Sequence, residues 1–191
     1  MGVIVFLVVI AIILVIVVPF LIYNRLVRLR NMVQESWRDI DTELQRRYDL
    51  IPNLVNTVKG YAAHEREVLD SVTRLRTEAM AEQGPADLQA PREEALGRGV
   101  GQLMAVAENY PDLKASEEFL RLQRQLVDTE DRIQVTRRIY NANVRSYNSL
   151  AQTFPSMLIA RQFHFAALPY FQLDPAVRDA GPPSIDLSGS Q

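Results

Sequence analysis

The sequence predicts an all-α protein in which a single N-terminal transmembrane helix continues into an antiparallel four-helix bundle. Three observations predict it. The first 24 residues carry no charged side chain, apolar residues then recur at steps of three and four, and glycine and proline cluster at a few points that would separate helices. A chain of 191 residues has room for an anchor, one bundle and a tail, which we assign to 1–24, 25–165 and 166–191.

The apolar run from Gly2 to Ile22 matches a transmembrane helix, which needs about 20 residues to cross about 30 Å of hydrocarbon. A cleaved signal peptide is the alternative, but the run lacks a basic start and a small-residue cleavage site. Tyr23 lies where an interfacial aromatic residue is expected. The candidate membrane-interface residues also include the following cations, which by the positive-inside rule predict an outside N-terminus and a cytoplasmic bundle: Arg25, Arg28 and Arg30.

The first helix of the bundle continues from the anchor, because neither glycine nor proline interrupts residues 20–51. We interpret Pro52 as the start of a second helix that runs to about Ala81, since proline disfavours a helix interior but suits a first turn. A kinked continuous helix is the alternative. The apolar face of the first helix comprises Leu26, Leu29, Val33, Trp37, Ile40, Leu44 and Tyr48, and that of the second Leu54, Val55, Val58, Tyr61, Val68, Leu69, Val72 and Leu75.

Proline and glycine separate the remaining helices. Residues 82–91 predict a loop, followed by a third helix from Arg92 to Glu108. The fourth helix begins near Ser116 and ends at Phe154, before a short amphipathic piece and a tail. It carries a coiled-coil seam at heptad spacing: Phe119, Leu122, Leu126, Thr129, Ile133, Thr136, Tyr140, Asn143, Tyr147 and Leu150.

Composition and motifs point away from catalysis. There is no cysteine, which excludes disulfides, thiol catalysis and Cys-ligated metals. His64 and Glu65 begin an H-E-x-x-H pattern, but Val68 occupies the second histidine's position. The net charge of −2 offers nothing to nucleic acid, and the chain has no phosphate-binding loop. We expect no enzyme activity, metal or cofactor, and interpret as a solvated helix face Asp39, Asp41, Glu43, Arg46 and Arg47.

Two groups of residues are candidates for contacting a partner. Asn53, Asn56, Lys59 and Tyr61 follow Pro52, where polar side chains at a helix start could bind an anion, although capping and packing are the simpler alternatives. Aromatic residues are concentrated after the fourth helix, and we expect them to support assembly into a homo-oligomer. They are Phe163, Phe165, Tyr170 and Phe171.

Several stretches together resemble the LemA family of bacterial membrane proteins. The resemblance implies one membrane helix, a cytoplasmic up-and-down four-helix bundle and no established enzyme activity. It also implies an association with envelope stress, magnetosome membranes and neighbouring genes for membrane metalloproteases. The stretches are YNRLVRLRN (23–31), SWRDIDTELQRRYDLIPNLVNTVKGYAAHE (36–65), ENYPDLKA (108–115), TEDRI (129–133), RRIYNANVRSYN (137–148), FHF (163–165) and PYF (169–171).

These observations predict a non-enzymatic scaffold protein anchored in the bacterial inner membrane, with its bundle at the cytoplasmic face. Its expected partners are the lipid bilayer, further copies of itself and another membrane protein. The alternative is a membrane-tethered hydrolase or a regulatory subunit of a membrane protease. A pocket with converging polar groups and shifted pKa values would favour that alternative.

Overall fold

The computed structural model describes residues 1–172, including all their side chains except those of 7–15. Within this range the chain is helical and contains no strand, which confirms the prediction of an all-α protein. Residues 173–191 of the predicted tail lie outside the described range. The helices are α1 (Gly2–Tyr61), α2 (Arg66–Ala81), α3 (Ala86–Ala107), α4 (Pro111–Lys114), α5 (Glu117–Gln152) and α6 (Ser156–Gln162).

The predicted anchor, residues 1–24, falls within α1. The side chains at its centre, those of 7–15, lie outside the described set, while Ile16, Phe20 and Leu21 are exposed. Among the residues that the structure describes, no helix is both long enough and apolar enough to cross a membrane.

The chain divides into two compact units, and helices α1 and α5 each contribute residues to both. Unit 1 comprises Met1–Arg46 and Thr129–Tyr170. Unit 2 comprises Arg47–Asp128 and a second part that begins at Phe171, of which the structure describes Phe171 and Gln172. The arrangement of residues 25–165 as a single four-helix bundle stays a prediction.

In unit 1, α1 and α5 run antiparallel with their apolar faces buried. The ring centroids of Trp37 and Tyr140 lie 5.3 Å apart. One turn away, Asn143 Nδ2 donates a 3.3 Å hydrogen bond to the hydroxyl of Ser36. Because the later α5 residue meets the earlier α1 residue, the two helices have opposite directions. The buried core confirms the predicted stripe and seam with Leu26, Val33, Ile40, Leu44, Ile133, Tyr140 and Tyr147. It also includes Val144, which lies outside the predicted seam.

In unit 2, α2 and α3 approach closely at a glycine. A Cβ atom at Gly99 would lie 2.7 Å from Leu75 Cδ1, a distance that real Cβ atoms do not tolerate. The absent side chain therefore lets α3 pack directly on α2. Around this point the core is made of fully buried aliphatic side chains from α1 to α5, namely Leu54, Val58, Val72, Leu96, Leu103, Leu113 and Leu122.

Proline 52 does not begin a new helix, because α1 continues through it to Tyr61. The prediction of a second helix starting there is wrong, and the continuous alternative is confirmed. A proline inside a helix leaves the carbonyl four residues earlier, here that of Tyr48, without its usual donor. Arg76 Nε of α2 donates a 2.7 Å hydrogen bond to this carbonyl oxygen. The break occurs instead at residues 62–65, and Tyr61, predicted to be buried, is exposed.

The predicted loop at 82–91 is also wrong in its second half, because α3 begins at Ala86 and contains Pro91. The carbonyl that Pro91 deprives of a donor belongs to Asp87, an exposed residue at which water can supply the missing hydrogen bond. The predicted third helix therefore starts about six residues too late. The predicted limits of the fourth helix agree with α5 to within two residues.

Candidate functional site

A groove of about 360 Å³ lies in unit 2 between the end of α1 and the first turns of α2. We call it the α1–α2 groove. It contains two of the four residues proposed from the sequence to contact a partner after Pro52, whereas Asn53 and Tyr61 are exposed elsewhere. Its lining comprises Val55, Asn56, Lys59, Ala63, Arg66, Leu69, Asp70 and Thr73.

The turn at residues 62–65 builds this groove. Ala62 is buried and its N–H donates a 2.8 Å bond to the Val58 carbonyl, so the last turn of α1 is closed. The N–H of Glu65 then bonds the Ala62 carbonyl at 3.1 Å and starts the reversal. Tyr110 donates a 2.9 Å hydrogen bond to the Glu65 carboxylate, which holds the turn and raises the pKa of Tyr110.

The groove combines an apolar surface with an excess of positive charge. Val55 and Leu69 supply the aliphatic surface, and two cations, Lys59 and Arg66, oppose the single carboxylate of Asp70. Among the described residues, neither cation forms an ion pair. An anionic group attached to an apolar body therefore matches this surface better than a neutral or cationic one does.

A second polar cluster in unit 2 is enclosed in the core. Arg47 of α1 forms an ion pair with the Glu93 carboxylate of α3, and Arg47 Nη2 lies 3.3 Å from the Glu93 carbonyl oxygen. Tyr48 donates a hydrogen bond to the same carboxylate. All three residues are buried, and burial together with the charge of Glu93 raises the pKa of Tyr48 far above its usual value. The tyrosine is thus a hydrogen-bond donor at neutral pH rather than a base.

Sequence reasoning missed this cluster. It placed Arg47 on a solvated face, which is wrong for this residue because Glu93 compensates its charge inside the core. The available signal was the position of Arg47 directly beside the buried stripe at Tyr48. Nothing local to α1 could identify Glu93 as the partner, since the two lie 46 residues apart.

In unit 1, the FHF stretch at 163–165 ends α6 in a left-handed turn. His164 has φ of 57°, a conformation in which glycine is usual. The Phe165 N–H reaches back to the Ala160 carbonyl at 2.9 Å, and the His164 N–H to that of Arg161 at 3.3 Å. This reversal brings the phenylalanines on both sides of His164 against one ring, with centroids 4.8 Å and 5.6 Å from Tyr23.

The first part of the predicted tail is held along α5 by hydrogen bonds to its backbone. Asn148 makes two with Leu168, donating to its carbonyl and accepting from its N–H, both at 2.9 Å. Tyr147 donates to the Ala166 carbonyl and Tyr140 to that of Pro169, also at 2.9 Å. Burial raises the pKa of Tyr147. The two seam tyrosines, predicted only to pack, therefore also position the segment that follows α6, together with Asn148, which lies outside the predicted seam.

The remaining sequence-predicted residues differ in exposure. Phe163 is exposed, Phe165 and Tyr170 are half-buried, and Phe171 is buried. Within the described residues, no group of three or more side chains has the types and spacing to hold a metal ion. The candidate membrane-interface residues Tyr23, Arg25, Arg28 and Arg30 are exposed, as that assignment requires, and the assignment stays a prediction.

Within residues 1–172 the structure thus combines an all-helical fold with a mixed-charge groove in unit 2 and an aromatic turn at 163–165. The LemA family model matches residues 36–186, and the chain belongs to the LemA family.

The chain is similar to the magnetosome protein MamQ 2 of Paramagnetospirillum magneticum, at 26% identity over 179 residues, covering 81% of this chain and 66% of the relative. MamQ of Magnetospirillum gryphiswaldense is 25% identical over the same shares. The protein LemA of Metamycoplasma hominis is 28% identical over 153 residues, or 78% of this chain and 68% of that one. The chain thus spans just under two thirds of the length of the magnetosome relatives.

Proposed function

We propose that this protein is a non-enzymatic scaffold anchored in the bacterial inner membrane, which docks an acidic segment of another membrane protein in the α1–α2 groove. The observation that carries the proposal is the pair of cations in the groove, Lys59 and Arg66, beside aliphatic side chains. Both cations are exposed, so an approaching carboxylate can reach them, and complementary charge of this kind steers a partner to its docking position.

The size of the groove favours a short protein segment over a cofactor. Its volume of about 360 Å³ lies at the lower end of ligand sites, which range over about 300–1,000 Å³. A few side chains fill such a space. Asn56 and Asp70 in its lining are suited to hydrogen bonds with the backbone of an extended peptide.

The proposed anchor is the segment 1–24, followed by a four-helix bundle at the cytoplasmic face. Its support is the absence of charge in the segment, the exposed Phe20 and Leu21, and the three arginines that follow. An alkaline phosphatase fused after Ser190 is expected to be inactive, because that enzyme needs an oxidising compartment. A strongly active fusion would exclude this orientation.

Site-specific photo-crosslinking in native membranes tests the docking proposal. A photoreactive amino acid at Asn56, inside the groove, should give a crosslink to a membrane protein. The same probe at Asn53, exposed on the same helix but outside the groove, is the matched control. The Asn56 crosslink should disappear with Arg66→Glu and persist with Arg132→Glu, an exposed arginine of α5. Identical crosslinks from both positions would refute the groove as the docking site.

Self-association is proposed as a further property, and exposed apolar side chains of α5 in unit 1 favour it. Val135 and Ile139 are both exposed on this helix, one turn apart. Mass photometry of the full-length protein in detergent should show an oligomer that Ile139→Asp weakens. A monomer at all concentrations would remove the idea.

The alternative of a tethered hydrolase has no comparable observation in its favour. The largest pKa shift, that of Tyr48, arises in the enclosed Arg47–Glu93 cluster and not in the groove. A regulatory subunit of a membrane protease is a special case of docking, and the protease would then appear among the Asn56 crosslinks.

A further inference from the structure

We propose that α6 and its flanking residues form a second membrane contact, lying at the level of the lipid headgroups beside the N-terminal anchor. We call this surface the α6 lipid face, and it comprises Phe154, Leu158 and Phe163. The inference rests on the proposed function, because it requires a membrane at the end of the segment 1–24.

The pattern of exposed and buried side chains in and around α6 differs from that of a helix on a water-exposed surface, which exposes polar residues. Its buried positions are Ser156 and Ala160, one turn apart. Leu158 of α6 is 53% exposed, and so are the aromatic residues just before and after the helix, Phe154 at 72% and Phe163 at 55%, whereas Met157 and Ile159 are half-buried. A surface on which large apolar side chains are exposed beside buried small residues is suited to an apolar surrounding.

The exposure of these apolar side chains is not a folding defect, because the buried polar residue of α6, Ser156, has hydrogen-bond partners. The Ser156 hydroxyl lies 2.6 Å from the Leu150 carbonyl oxygen and 2.8 Å from that of Thr153. These bonds cap the end of α5 and fix the orientation of α6. The exposure of Leu158 therefore follows from an α6 orientation that these hydrogen bonds stabilise.

The position of α6 in unit 1 identifies lipid as the occupant of this face. Tyr23 contacts the rings of both Phe163 and Phe165, so the end of α6 lies beside the residue that follows the apolar run. Phe20 and Leu21, exposed on the preceding turn of α1, continue the apolar surface. Aromatic rings at this level are typical of a membrane–water interface.

The charges next to this surface agree with the assignment. Arg161 lies on α6 and is exposed, and Arg25 and Arg28 are exposed on α1 just after Tyr23. Arginine side chains at the border of an apolar surface bind anionic headgroups while their aliphatic parts contact the acyl chains. The α6 lipid face thus has both components of an interfacial helix.

The absence of cysteine allows a direct test with single labels on the full-length protein. An environment-sensitive fluorophore is attached at Leu158→Cys in vesicles of phosphatidylethanolamine and phosphatidylglycerol. A lipid with a nitroxide near its headgroup should quench this label about twofold or more beyond the label at Val127→Cys. Val127 is the matched control because it is an aliphatic residue of similar exposure, 56% against 53%, outside the surface proposed for self-association.

A third label, at Val17→Cys, separates this inference from the anchor proposal. Quenching at position 17 without quenching at 158 would overturn the lipid contact and leave the anchor standing. Absence of quenching at both positions would remove the anchor as well. A remaining outcome is that the label at 158 is protected from iodide and is quenched by a nitroxide on a second copy of the protein, but not by the nitroxide lipid. The occupant of the α6 lipid face is then another protomer, and the inference is wrong.

Discussion

The two units of the chain hold their buried polar groups by different means. In unit 1 the interior bonds are neutral, and they join side chains of α5 to the backbone of the segment after α6, as Asn148 does with Leu168. In unit 2 the interior bonds are charged, and Arg47 and Tyr48 converge on the carboxylate of Glu93. The neutral hydrogen bonds of unit 1 position one segment along a helix. The buried ion pair of unit 2 links two helices, and removing either partner leaves an uncompensated charge in the core.

This difference has an energetic consequence. Losing one partner of a neutral hydrogen bond costs about 1–3 kcal/mol, because the group left behind is merely unsatisfied. Breaking a buried ion pair costs about 3–5 kcal/mol, because a charge is left in the core. Unit 2 should therefore be the more sensitive of the two to polar substitutions, and the apolar seam of α5 should be equally important to both.

The largest effect is expected from a charge in the seam. Leu126→Asp in unit 2 and Ile133→Asp in unit 1 each put a carboxylate at a buried position without a partner. Each should destabilise the protein by about 5 kcal/mol, comparable to the whole stability of a small domain. Thermal unfolding followed by circular dichroism measures the loss.

The matched control for the seam is an adjacent exposed residue. Leu126 is 6% exposed and Val127 56%, so Val127→Asp should change the melting temperature little. Equal losses from the two substitutions would show that α5 is not oriented as described.

The next largest effect should come from Glu93→Ala, which leaves Arg47 charged and buried. We expect a loss of about 3–5 kcal/mol in the free energy of unfolding, measured by urea titration. Glu94→Ala is the control, since Glu94 pairs with the exposed Arg98 and should cost about 1 kcal/mol or less.

A double substitution sharpens this result. Arg47→Met combined with Glu93→Leu removes both charges and keeps much of the volume, and it should recover a large part of the stability lost in Glu93→Ala. If the double variant is as unstable as the single one, lost packing and not the unpaired charge is the cause.

In unit 1, Asn148→Ala should cost about 2 kcal/mol, because it removes both hydrogen bonds to Leu168. Hydrogen exchange should also show faster exchange of the Leu168 amide, which distinguishes a released segment from general destabilisation. Ser149→Ala, at the neighbouring exposed position, should leave that amide unchanged.

A smaller effect of about 1 kcal/mol is expected at the proline within α1. Arg76→Met removes the donor to the Tyr48 carbonyl and should destabilise unit 2. In a Pro52→Ala background the same substitution should cost less, because the alanine supplies the missing N–H. Additive effects in this double-mutant cycle would contradict the compensation.

The smallest effect at neutral pH concerns Tyr48, whose pKa is raised by burial and by Glu93. Its contribution to stability is fully present below a pH of about 10, the unfolded value, and is lost as the pH rises toward the folded pKa. Urea titrations from pH 9 to 11 should show a shallower decline in Tyr48→Phe than in the unaltered protein.

The sequence alone determined the helical class, the buried stripe of α1 and the heptad seam of α5. These follow from periodicity, because one helix face must be apolar if it is to be buried, and that period is visible in any single sequence. Family membership was equally visible, since it depends on stretches such as 36–65.

Only the tertiary structure decided the features that depend on distant partners. The continuation of α1 through Pro52 depended on Arg76 of α2, which is 28 residues from Tyr48 in the sequence. Its side chain donates the hydrogen bond that the Tyr48 carbonyl would otherwise lack. Whether Arg47 is solvated depended on Glu93, 46 residues away. Local sequence preferences indicate that a proline or a charge is unfavourable inside a buried helix. The group that compensates for it comes from another helix, and hydrophobic periodicity does not reveal which residue that is.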